Sequence, residues 1–408
     1  MAELPRLAIF QNQSTVSIFD LVGAAKDLCR IVWVVGWADA PPTRMLERFG
    51  DVADVTGMSD SEMIEFLREF RLDGVSVFND PPLLLAAVIA EGLGLRFHSP
   101  RTASILSDKA MQRQALLDQD VAVPKFAAVN LTDHHADVPF PAVLKPRGGA
   151  GARDTFLVHD FDEVAAALSK CSPSEEFILE EWLPDRTQNQ TLSADIISVE
   201  SVAIQGTIQH LMVTGRFPYA PPFRDTGGYL PSDLAPSDWD IVCALAGVAA
   251  HALGIRDGII HTEIKMTPSG PRVVEINGRL GGGVSKLIER IGGPSLNNWV
   301  MKLALGIEVG TFPALNEGSI SFFYFAVAPE SATSLETISG ISELDEMKRQ
   351  FGIDEIYLNV RPGAAVSIQQ TSFEAYVVRI DGMVSSHQEL AATLTKIEET
   401  LKMTWTLS

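Results

Sequence analysis

The sequence predicts an α/β protein that is α+β when taken as a whole, and three observations favour this class. Short apolar runs alternate with amphipathic stretches in the first 100 residues, as in parallel strands connected by helices. Later apolar runs come in closely spaced pairs, which is typical of antiparallel hairpins. Apolar residues make up 46% of the 408 positions, enough to bury large cores. At about 150 residues per domain, this length predicts two to four domains.

Residues 1–100 are expected to form a doubly wound α/β domain. Apolar runs predict strands at Leu7–Phe10, Ile31–Val35 and Gly74–Phe78. Amphipathic stretches predict helices at 17–29, 60–70 and 81–93. No GxGxxG follows the first strand, so the dinucleotide-binding fingerprint is absent.

Residues 101–310 are expected to form a second domain, with a lid subdomain at about 145–190. Its predicted helices lie at 107–120, 162–170, 237–253 and 296–305. Its predicted strands lie at 143–145, 155–158, 177–180, 258–266 and 271–277, with a three-stranded meander at 195–198, 201–205 and 210–214. Residues 311–408 predict a small C-terminal α+β domain, with strands at 320–326, 355–360 and 376–381 and a helix at 388–401.

Composition narrows the classes of partner. The formal net charge of −20, from 32 Lys and Arg against 52 Asp and Glu, disfavours nucleic acid or an anionic membrane as the main partner. The three cysteines form no CxxC pair, so neither a disulfide framework nor a thiolate zinc site is expected. The start does not resemble a secretory signal, and the longest uncharged apolar stretch is shorter than the ~20 residues that span a bilayer. We therefore expect a cytoplasmic protein.

The strongest chemical signal lies in HTEIKM (261–266) and VVEINGRLGGG (273–283). If both segments are strands of one hairpin, alternation puts Glu263, Glu275 and Asn277 on one face. Two carboxylates and an amide oxygen suit Mg²⁺. Arg279 follows two residues later and could grip a carboxylate or a phosphoryl group. The alternative is a pair of exposed acidic residues on an edge hairpin.

Three further segments are weaker signals when taken alone. Glycines in KPRGGAGARDT (145–155), including Gly149 and Gly151, let backbone N–H groups turn toward an anion, and Lys145 adds a charge. LEEWLP (179–184) ends a predicted strand, where backbone groups could meet an adenine edge. Lys109 lies near the start of a predicted helix in SDKAMQR. Each segment also has a purely structural explanation. Residues 145–155 could form a glycine-rich hairpin, residues 179–184 could be an ordinary exit from a strand into a loop, and Lys109 could be a solvated surface lysine.

In this order, the four segments resemble the ATP-grasp superfamily over roughly 101–310, with 1–100 matching its preceding α/β domain. The resemblance implies that ATP phosphates contact Lys109 and Lys145, and that the adenine lies near the segment Glu180, Glu181, Trp182 and Leu183. It also implies two Mg²⁺ ions on Glu263, Glu275 and Asn277, with Mn²⁺ as an alternative. The family's acidic ribose ligand is replaced here by Thr187 or, with an insertion, Gln190.

Three longer segments of the sequence are similar to one branch of this superfamily. PPFRDTGGYLPSDL (221–234), GIIHTEIKMTPSGPRVVEING (258–278) and the C-terminal region look like the L-amino acid ligases, which make dipeptides. This similarity implies substrate contacts at Thr226, Gly227, His261, Arg279, Gly281, Gly282 and Gly283. Biotin-dependent carboxylases share E-x-N-x-R but continue with a Q-V-E-H stretch, which is absent here.

The implied activity is that of an enzyme, an ADP-forming ligase that makes C–N bonds through an acyl phosphate. Arg279 would be the catalytic residue of this enzyme. The enzyme's partners would be a small-molecule carboxylate and a small-molecule amine, and a homodimer is one option for its assembly. Two alternatives remain open. One is a ligase of the same fold that loads a carrier protein or a natural-product amine. The other is an ATP-binding regulatory protein without catalysis.

Overall fold

The computed structural model describes residues 3–11, 16–36, 43–133, 135–186, 192–366 and 375–407. These residues build four sheets, with four, eight, two and four strands. Helices and strands are present in similar amounts, which confirms the mixed α/β class.

The N-terminal sheet is fully parallel. Its strands are β1 (Arg6–Phe10), β2 (Arg30–Val35), β3 (Asp51–Asp54) and β4 (Gly74–Val77), in the order β3-β2-β1-β4. Its helices are α1 (Ile18–Ala25), α2 (Thr43–Leu46), α3 (Asp60–Arg68) and α4 (Leu83–Leu93). Separate apolar clusters cover the two faces of the sheet, as the doubly wound prediction requires. The sequence missed β3 because this edge strand reads Asp-Val-Ala-Asp, in which only Ala53 is buried.

A small antiparallel sheet follows two helices, α5 (Pro100–Leu106) and α6 (Lys109–Leu117). Its elements are β5 (Phe126–Val129), β6 (Ala142–Pro146), β7 (Phe156–Val158), α7 (Phe161–Leu168) and β8 (Phe177–Glu181). The strand order is β5-β8-β6-β7. The first strand precedes residue 145, so this sheet reaches further back along the chain than the stretch predicted as the lid.

The largest sheet contains eight strands and carries most of the polar residues described below. The remaining strands are β9 (Ile196–Ile204), β10 (Thr207–Arg216), β11 (Gly227–Leu230), β12 (Gly258–Thr267), β13 (Gly270–Asn277), β14 (Ile320–Val327), β15 (Ala332–Ser339), β16 (Ile353–Leu358), β17 (Tyr376–Val384) and β18 (Lys402–Leu407). The large sheet has the order β13-β12-β9-β10-β11-β14-β17-β16, and β15 pairs with β18. The remaining helices are α8 (Pro236–Ala252), α9 (Val284–Arg290), α10 (Leu296–Ala304), α11 (Ile341–Glu346) and α12 (His387–Thr400).

The predicted three-stranded meander was wrong. Residues 195–198 and 201–205 belong largely to one long strand, β9, which pairs with β10 across a bulge between His210 and Met212. The charge of Glu200 interrupted the apolar pattern and suggested a turn. In the structure, Glu200 lies in the strand and is fully buried.

The large sheet continues across the predicted domain boundary near residue 310. Strand β11 pairs with β14, and β14 pairs with β17. The C-terminal region also has an apolar cluster of its own, which includes Phe322, Val377 and Ile397. The predicted boundaries at 100 and 310 remain predictions.

The three cysteines are free thiols. Burial raises the pKa of Cys29 and of Cys243 to about 11, so both remain protonated at neutral pH. Among the described residues, no helix combines the length and the apolar character needed to cross a bilayer.

Replacing Gly227 with alanine tests how closely β11 approaches β14. Gly227 has a φ of +118°, and a Cβ there would lie 2.1 Å from the carbonyl oxygen of Phe323. We expect Gly227→Ala to be destabilising by about 1–3 kcal/mol beyond the effect of positive φ alone. Gly206→Ala is the matched control, because Gly206 has a φ of +85° and open space around it. Equal free energies of unfolding in the two variants would contradict the close approach.

Candidate active site

The hairpin of β12 and β13 brings the predicted carboxylates together. Glu263 lies directly opposite Glu275, and His261 lies opposite Asn277. Cross-strand partners project from the same face of a sheet, so these side chains share one surface. Both glutamate side chains are partly exposed, at 21% and 23%, and are therefore accessible to a ligand.

Lys109 joins this hairpin to the glycine-rich loop. Its Nζ lies 3.1 Å from Oε1 of Glu275 and donates to the carbonyl oxygen of Gly149 at 2.8 Å. The helix α6, which begins at Lys109, is capped by Asp108, whose carboxylate accepts the N–H groups of Ala110 and Met111. Asp108 also pairs with Arg147 of the loop, at 2.5 Å. Helix start, loop and hairpin are thus fixed to one another.

The same helix is bonded along the edge of β13. The side-chain amide of Gln112 donates to the carbonyl of Ile276 at 2.9 Å and accepts its N–H at 2.8 Å. The next residue, Arg113, donates to the carbonyl of Val274. These bonds satisfy the backbone on both sides of Glu275, so that residue has a defined position.

Glu180 lies at the centre of a buried ionic cluster. Its Oε1 is 2.8 Å from Nε of Arg113, and its Oε2 is 2.7 Å from Nζ of Lys145. Burial would raise the pKa of Glu180, but the charges of Arg113 and Lys145 lower it. Burial lowers the pKa of Lys145, and the carboxylate of Glu180 opposes that effect. Glu180 therefore serves as the counterion of Lys145, and the adenine contact expected for it remains a prediction.

The connector, the segment 181–184 at the end of β8, contains both partly buried and exposed side chains. Oε1 of Glu181 accepts the backbone N–H of Lys125 at 2.9 Å, while the Glu181 N–H donates to the Lys125 carbonyl at 2.9 Å. Trp182 is 39% exposed, and Leu183 follows it in an irregular segment. The two alternative positions for the ribose contact, Thr187 and Gln190, fall outside the described residues.

The glycine-rich loop has the backbone conformation that its composition predicts. Gly149 and Gly151 have φ values of +95° and +74°, which favour glycine. Arg153 packs beside Gly149 and forms ion pairs with Asp154 and Glu175. The loop is therefore ordered by its own charges, next to Lys109.

His261 lies between two carboxylates. Its Nδ1 is 2.5 Å from Oε1 of Glu200, and its Nε2 is 3.3 Å from Oε1 of Glu263. Burial alone would lower the pKa of His261, but the charge of Glu200, with help from Glu263, raises it to about 9. Burial would raise the pKa of Glu263, but the hydrogen bond from His261 and the charge of Arg216 lower it to about 2. At neutral pH His261 is a cation and Glu263 an anion.

Arg216, at the end of β10, brings a second cation to Glu263. Its Nη2 lies 3.4 Å from Oε1 of Glu263 and 3.3 Å from Nε2 of His261. Its Nη1 pairs with Asp225 at 2.6 Å. Burial, followed by the charge of Glu263, raises the pKa of nearby Tyr219, which stays a neutral phenol. Arg216 thus connects the hairpin to the loop before β11.

That loop contains two expected substrate contacts, and both have structural partners. Oγ1 of Thr226 donates to the carbonyl of Pro218 at 2.8 Å, and the Gly227 N–H donates to Asp225 at 2.9 Å. The ring of Phe223 contacts that of Trp182, with centroids 5.8 Å apart. The loop therefore lies between the connector and Glu263, and its contact with a substrate remains a prediction.

Arg279 does not continue the strand, because β13 ends at Asn277. Its Nε and Nη2 face the two oxygens of Asp80, at 2.9 and 2.5 Å. Its Nη1 donates to the carbonyl of Leu280 at 3.0 Å. Asp80 follows strand β4, so a loop of the N-terminal sheet orients the arginine for which we predicted a catalytic role.

The glycine cluster after Arg279 leads into α9. A Cβ on Gly281 would lie 2.4 Å from Nδ1 of His261, so the backbone rests directly on the imidazole. Gly282 lies in the turn, and Gly283, with a φ of +75°, caps the helix. The glycines allow the loop to lie close to the hairpin.

Sequence reasoning missed five charged residues of this site, although four of them left a signal. They are Asp80, Arg113, Glu200, Arg216 and Asp225. Arg113 lies four residues after Lys109 and so shares its helix face. Glu200 and Arg216 are charges within strands, and Asp80 follows a parallel strand, where α/β proteins often place ligands.

The donor set fits a cation that arrives with a nucleotide. Glu263, Glu275 and Asn277 offer only oxygen atoms from carboxylates and an amide, and Mg²⁺ prefers such ligands. In the described part of the chain, no cluster of three or more His, Cys, Asp or Glu residues could hold a metal. Two carboxylates alone leave coordination positions for phosphate oxygens and water. The phosphate contacts expected for Lys109 and Lys145 remain predictions.

The raised pKa of His261 predicts how stability depends on pH. The protonated imidazole is favoured in the folded protein, so its contribution is complete below pH 6.5 and lost as pH rises through about 9. We expect the free energy of unfolding, measured by denaturant titration without divalent cations, to fall between pH 6.5 and 9. His261→Gln should flatten that dependence. The same slope in both proteins would contradict the assignment.

Comparison with known proteins gives one consistent picture. No family profile matches the chain. Human carnosine synthase 1 is 26% identical over 275 residues, covering 61% of this chain and 32% of that protein. The L-arginine-specific L-amino acid ligase of Bacillus subtilis is 24% identical over 346 residues, covering 79% of this chain and 78% of that ligase. The crystal structure of an L-amino acid ligase from Bacillus licheniformis superimposes with a TM-score of 0.79 at 20% identity, over the whole of both chains.

These likenesses differ in extent. The chain spans about a third of the length of the carnosine synthase, but about four fifths of the Bacillus subtilis ligase. The structural match covers all three regions of the chain. The chain therefore has the ATP-grasp fold and resembles the L-amino acid ligases in both sequence and structure.

Proposed function

We propose that this protein is an ATP-dependent carboxylate–amine ligase that forms an amide or peptide bond and releases ADP and phosphate. The observation that carries this proposal is the pairing of Glu263 with Glu275 on a hairpin that Lys109 contacts directly. The ATP-grasp fold and the likeness to amino acid ligases support it.

The first step joins two anions, a substrate carboxylate and the terminal phosphoryl group of ATP. It forms an O–P bond to the carboxylate and breaks the bond to ADP, giving an acyl phosphate. Such transfer depends on positioning and on neutralising charge. Lys109 and Lys145 would contact the phosphates, and Glu180 aims Lys145. Glu263, Glu275 and Asn277 would hold two Mg²⁺ ions, or Mn²⁺, which neutralise phosphate charge when bound.

The second step is attack of an amine on the acyl carbon. A C–N bond forms, phosphate leaves, and the amine loses a proton. The carbonyl oxygen gains negative charge on the way, and donors near it lower the barrier. Arg279 and the backbone N–H groups of Gly281–Gly283 are the donors that we assign to this task. Asp80 fixes the guanidinium plane of Arg279.

Acyl phosphates hydrolyse in water, so the site must exclude solvent during turnover. We assign that task to the small sheet of β5–β8, which carries the glycine-rich loop on one side of the hairpin. The names of the relatives suggest the substrate class. One relative is an L-arginine-specific L-amino acid ligase, and another is a carnosine synthase. We therefore propose that both substrates are amino acids or close analogues.

The direct test is to incubate the purified protein with ATP, Mg²⁺ and pooled amino acids, and to measure ADP, AMP and phosphate. Amino-acid-dependent ADP and phosphate, with a new dipeptide mass, would support the proposal. AMP and pyrophosphate would contradict the acyl-phosphate route. Turnover only with a carrier protein or a natural-product amine would favour the carrier-loading alternative. Bound ATP without ADP formation from any of these substrates would favour a regulatory protein.

Glu275→Ala should abolish ADP formation while leaving the fold intact, because it removes one of two facing carboxylates. Activity is checked by phosphate release, and folding by thermal denaturation. Glu65→Ala, on the exposed face of α3, is the control and should behave as wild type. Unchanged ADP release by Glu275→Ala would remove that residue from the site.

Arg279→Lys should lower turnover by about 100-fold or more, because a point charge cannot replace a planar guanidinium held by two oxygens. Arg272→Lys is the control and should leave turnover unchanged, because Arg272 lies on β13 and its guanidinium bonds to Pro271 and Ser269 instead of Asp80. If Arg279→Lys turns over at the wild-type rate, Arg279 has no catalytic role.

A further inference from the structure

We propose that Glu200 is a positioning residue, which acts through His261 to hold Glu263 ready for a divalent cation. This inference rests on the proposed function, because it takes Glu263 as a metal ligand. It assigns a task to a buried carboxylate that the mechanism above does not use.

The contacts run in one line across two neighbouring strands, β9 and β12. Glu200 is a Cα partner of His261, and its side chain is fully buried between β10 and β12. Its Oε1 lies 2.5 Å from Nδ1 of His261, and Nε2 of the same ring lies 3.3 Å from Oε1 of Glu263. Both ring nitrogens therefore have a carboxylate partner.

The imidazole cannot turn away from this arrangement. The backbone of Gly281 covers the ring so closely that even a Cβ there would lie 2.4 Å from Nδ1. Glu200 contacts the ring at the same nitrogen. The backbone of Gly281 and the carboxylate of Glu200 thus fix the plane of the His261 ring. The orientation of this plane determines where Nε2 lies relative to Glu263.

The contacts to Glu263 leave one oxygen available. His261 and Arg216 both approach Oε1, at 3.3 and 3.4 Å. Within the described residues, Oε2 of Glu263 has no hydrogen-bond partner. A carboxylate held by one oxygen presents the other to a cation in a defined direction. Residues that orient ligands in this way typically change metal affinity by about 10–100-fold when removed.

Stability alone does not explain Glu200. Its Oε2 has no hydrogen-bond partner among the described residues, and a buried carboxylate with an unpaired oxygen is costly. An apolar side chain of similar size often stabilises such a position. The contact with His261 is therefore better explained by orientation than by stability.

The same sheet offers a matched control. Asp381 is also fully buried, on the same face, and pairs with Arg379 at 2.8 Å. It lies on β17, which is separated from β12 by four strands in the sheet order. Replacing either carboxylate with leucine removes a buried charge, but only Glu200 contacts His261.

The test measures binding of Mn²⁺ to the full chain in the presence of ADP, using the electron paramagnetic resonance signal of free Mn²⁺. We expect Glu200→Leu to weaken Mn²⁺ binding by about 10–100-fold. Glu200→Gln keeps an acceptor oxygen at the same place and should restore most of the affinity. Asp381→Leu should change the melting temperature without changing Mn²⁺ affinity more than twofold.

The outcomes separate the two proposals. If wild-type protein does not bind Mn²⁺ with ADP, the proposed function fails. If wild type binds and Glu200→Leu binds equally well, only the role of Glu200 is overturned. If Glu200→Leu does not fold, Glu200→Asp withdraws the acceptor by one methylene and should also weaken Mn²⁺ binding. Wild-type affinity in that variant would overturn the inference as well.

Discussion

The buried contact of Glu180 with Arg113 and Lys145 is the interaction on which the site depends. An arginine without exposed side-chain surface is tolerated only when an anion compensates its charge. Glu180 supplies that charge from β8, Lys145 comes from β6, and Arg113 also bonds to the backbone of β13. Removing the carboxylate would leave two cations buried together. One ionic cluster therefore holds the small sheet, helix α6 and the hairpin at fixed distances.

From that cluster, charges of alternating sign extend across the face of the large sheet. Lys109 lies against Glu275, while Glu263 meets both His261 and Arg216. Each of the two carboxylates that we propose as metal ligands is already paired with a cation of the protein. The contacts with His261 and Arg216 keep Glu263 ionised. At either glutamate, a bound cation would replace an existing contact instead of neutralising a bare charge. The arrangement suits a ligand that brings its own negative charge and its own metal.

Sequence reasoning correctly predicted strands and helices whose residues follow a local periodic pattern. Apolar runs placed β1, β2 and β4, and the hairpin of β12 and β13 followed from the closely spaced strands predicted at 258–266 and 271–277. It failed where partners are distant in the chain. Glu200 looked like a break in a strand, because its partner His261 is 61 residues away. Asp80 gave no sign of its contact with Arg279, which is 199 residues away. Local periodicity predicts individual strands and helices, whereas the ion pairs of the site join residues that come together only when the chain folds.

The Asp80–Arg279 pair has a consequence for how the chain can be divided. This ion pair connects the N-terminal sheet to the loop that contains Gly281–Gly283. A fragment that begins after residue 100 would therefore lose the carboxylate that pairs with Arg279. The exposed guanidinium would then attract whatever anion the solvent offers, sulfate and phosphate included. In chimaeras between related chains, the loop after β4 and the segment around 279 therefore have to come from the same parent.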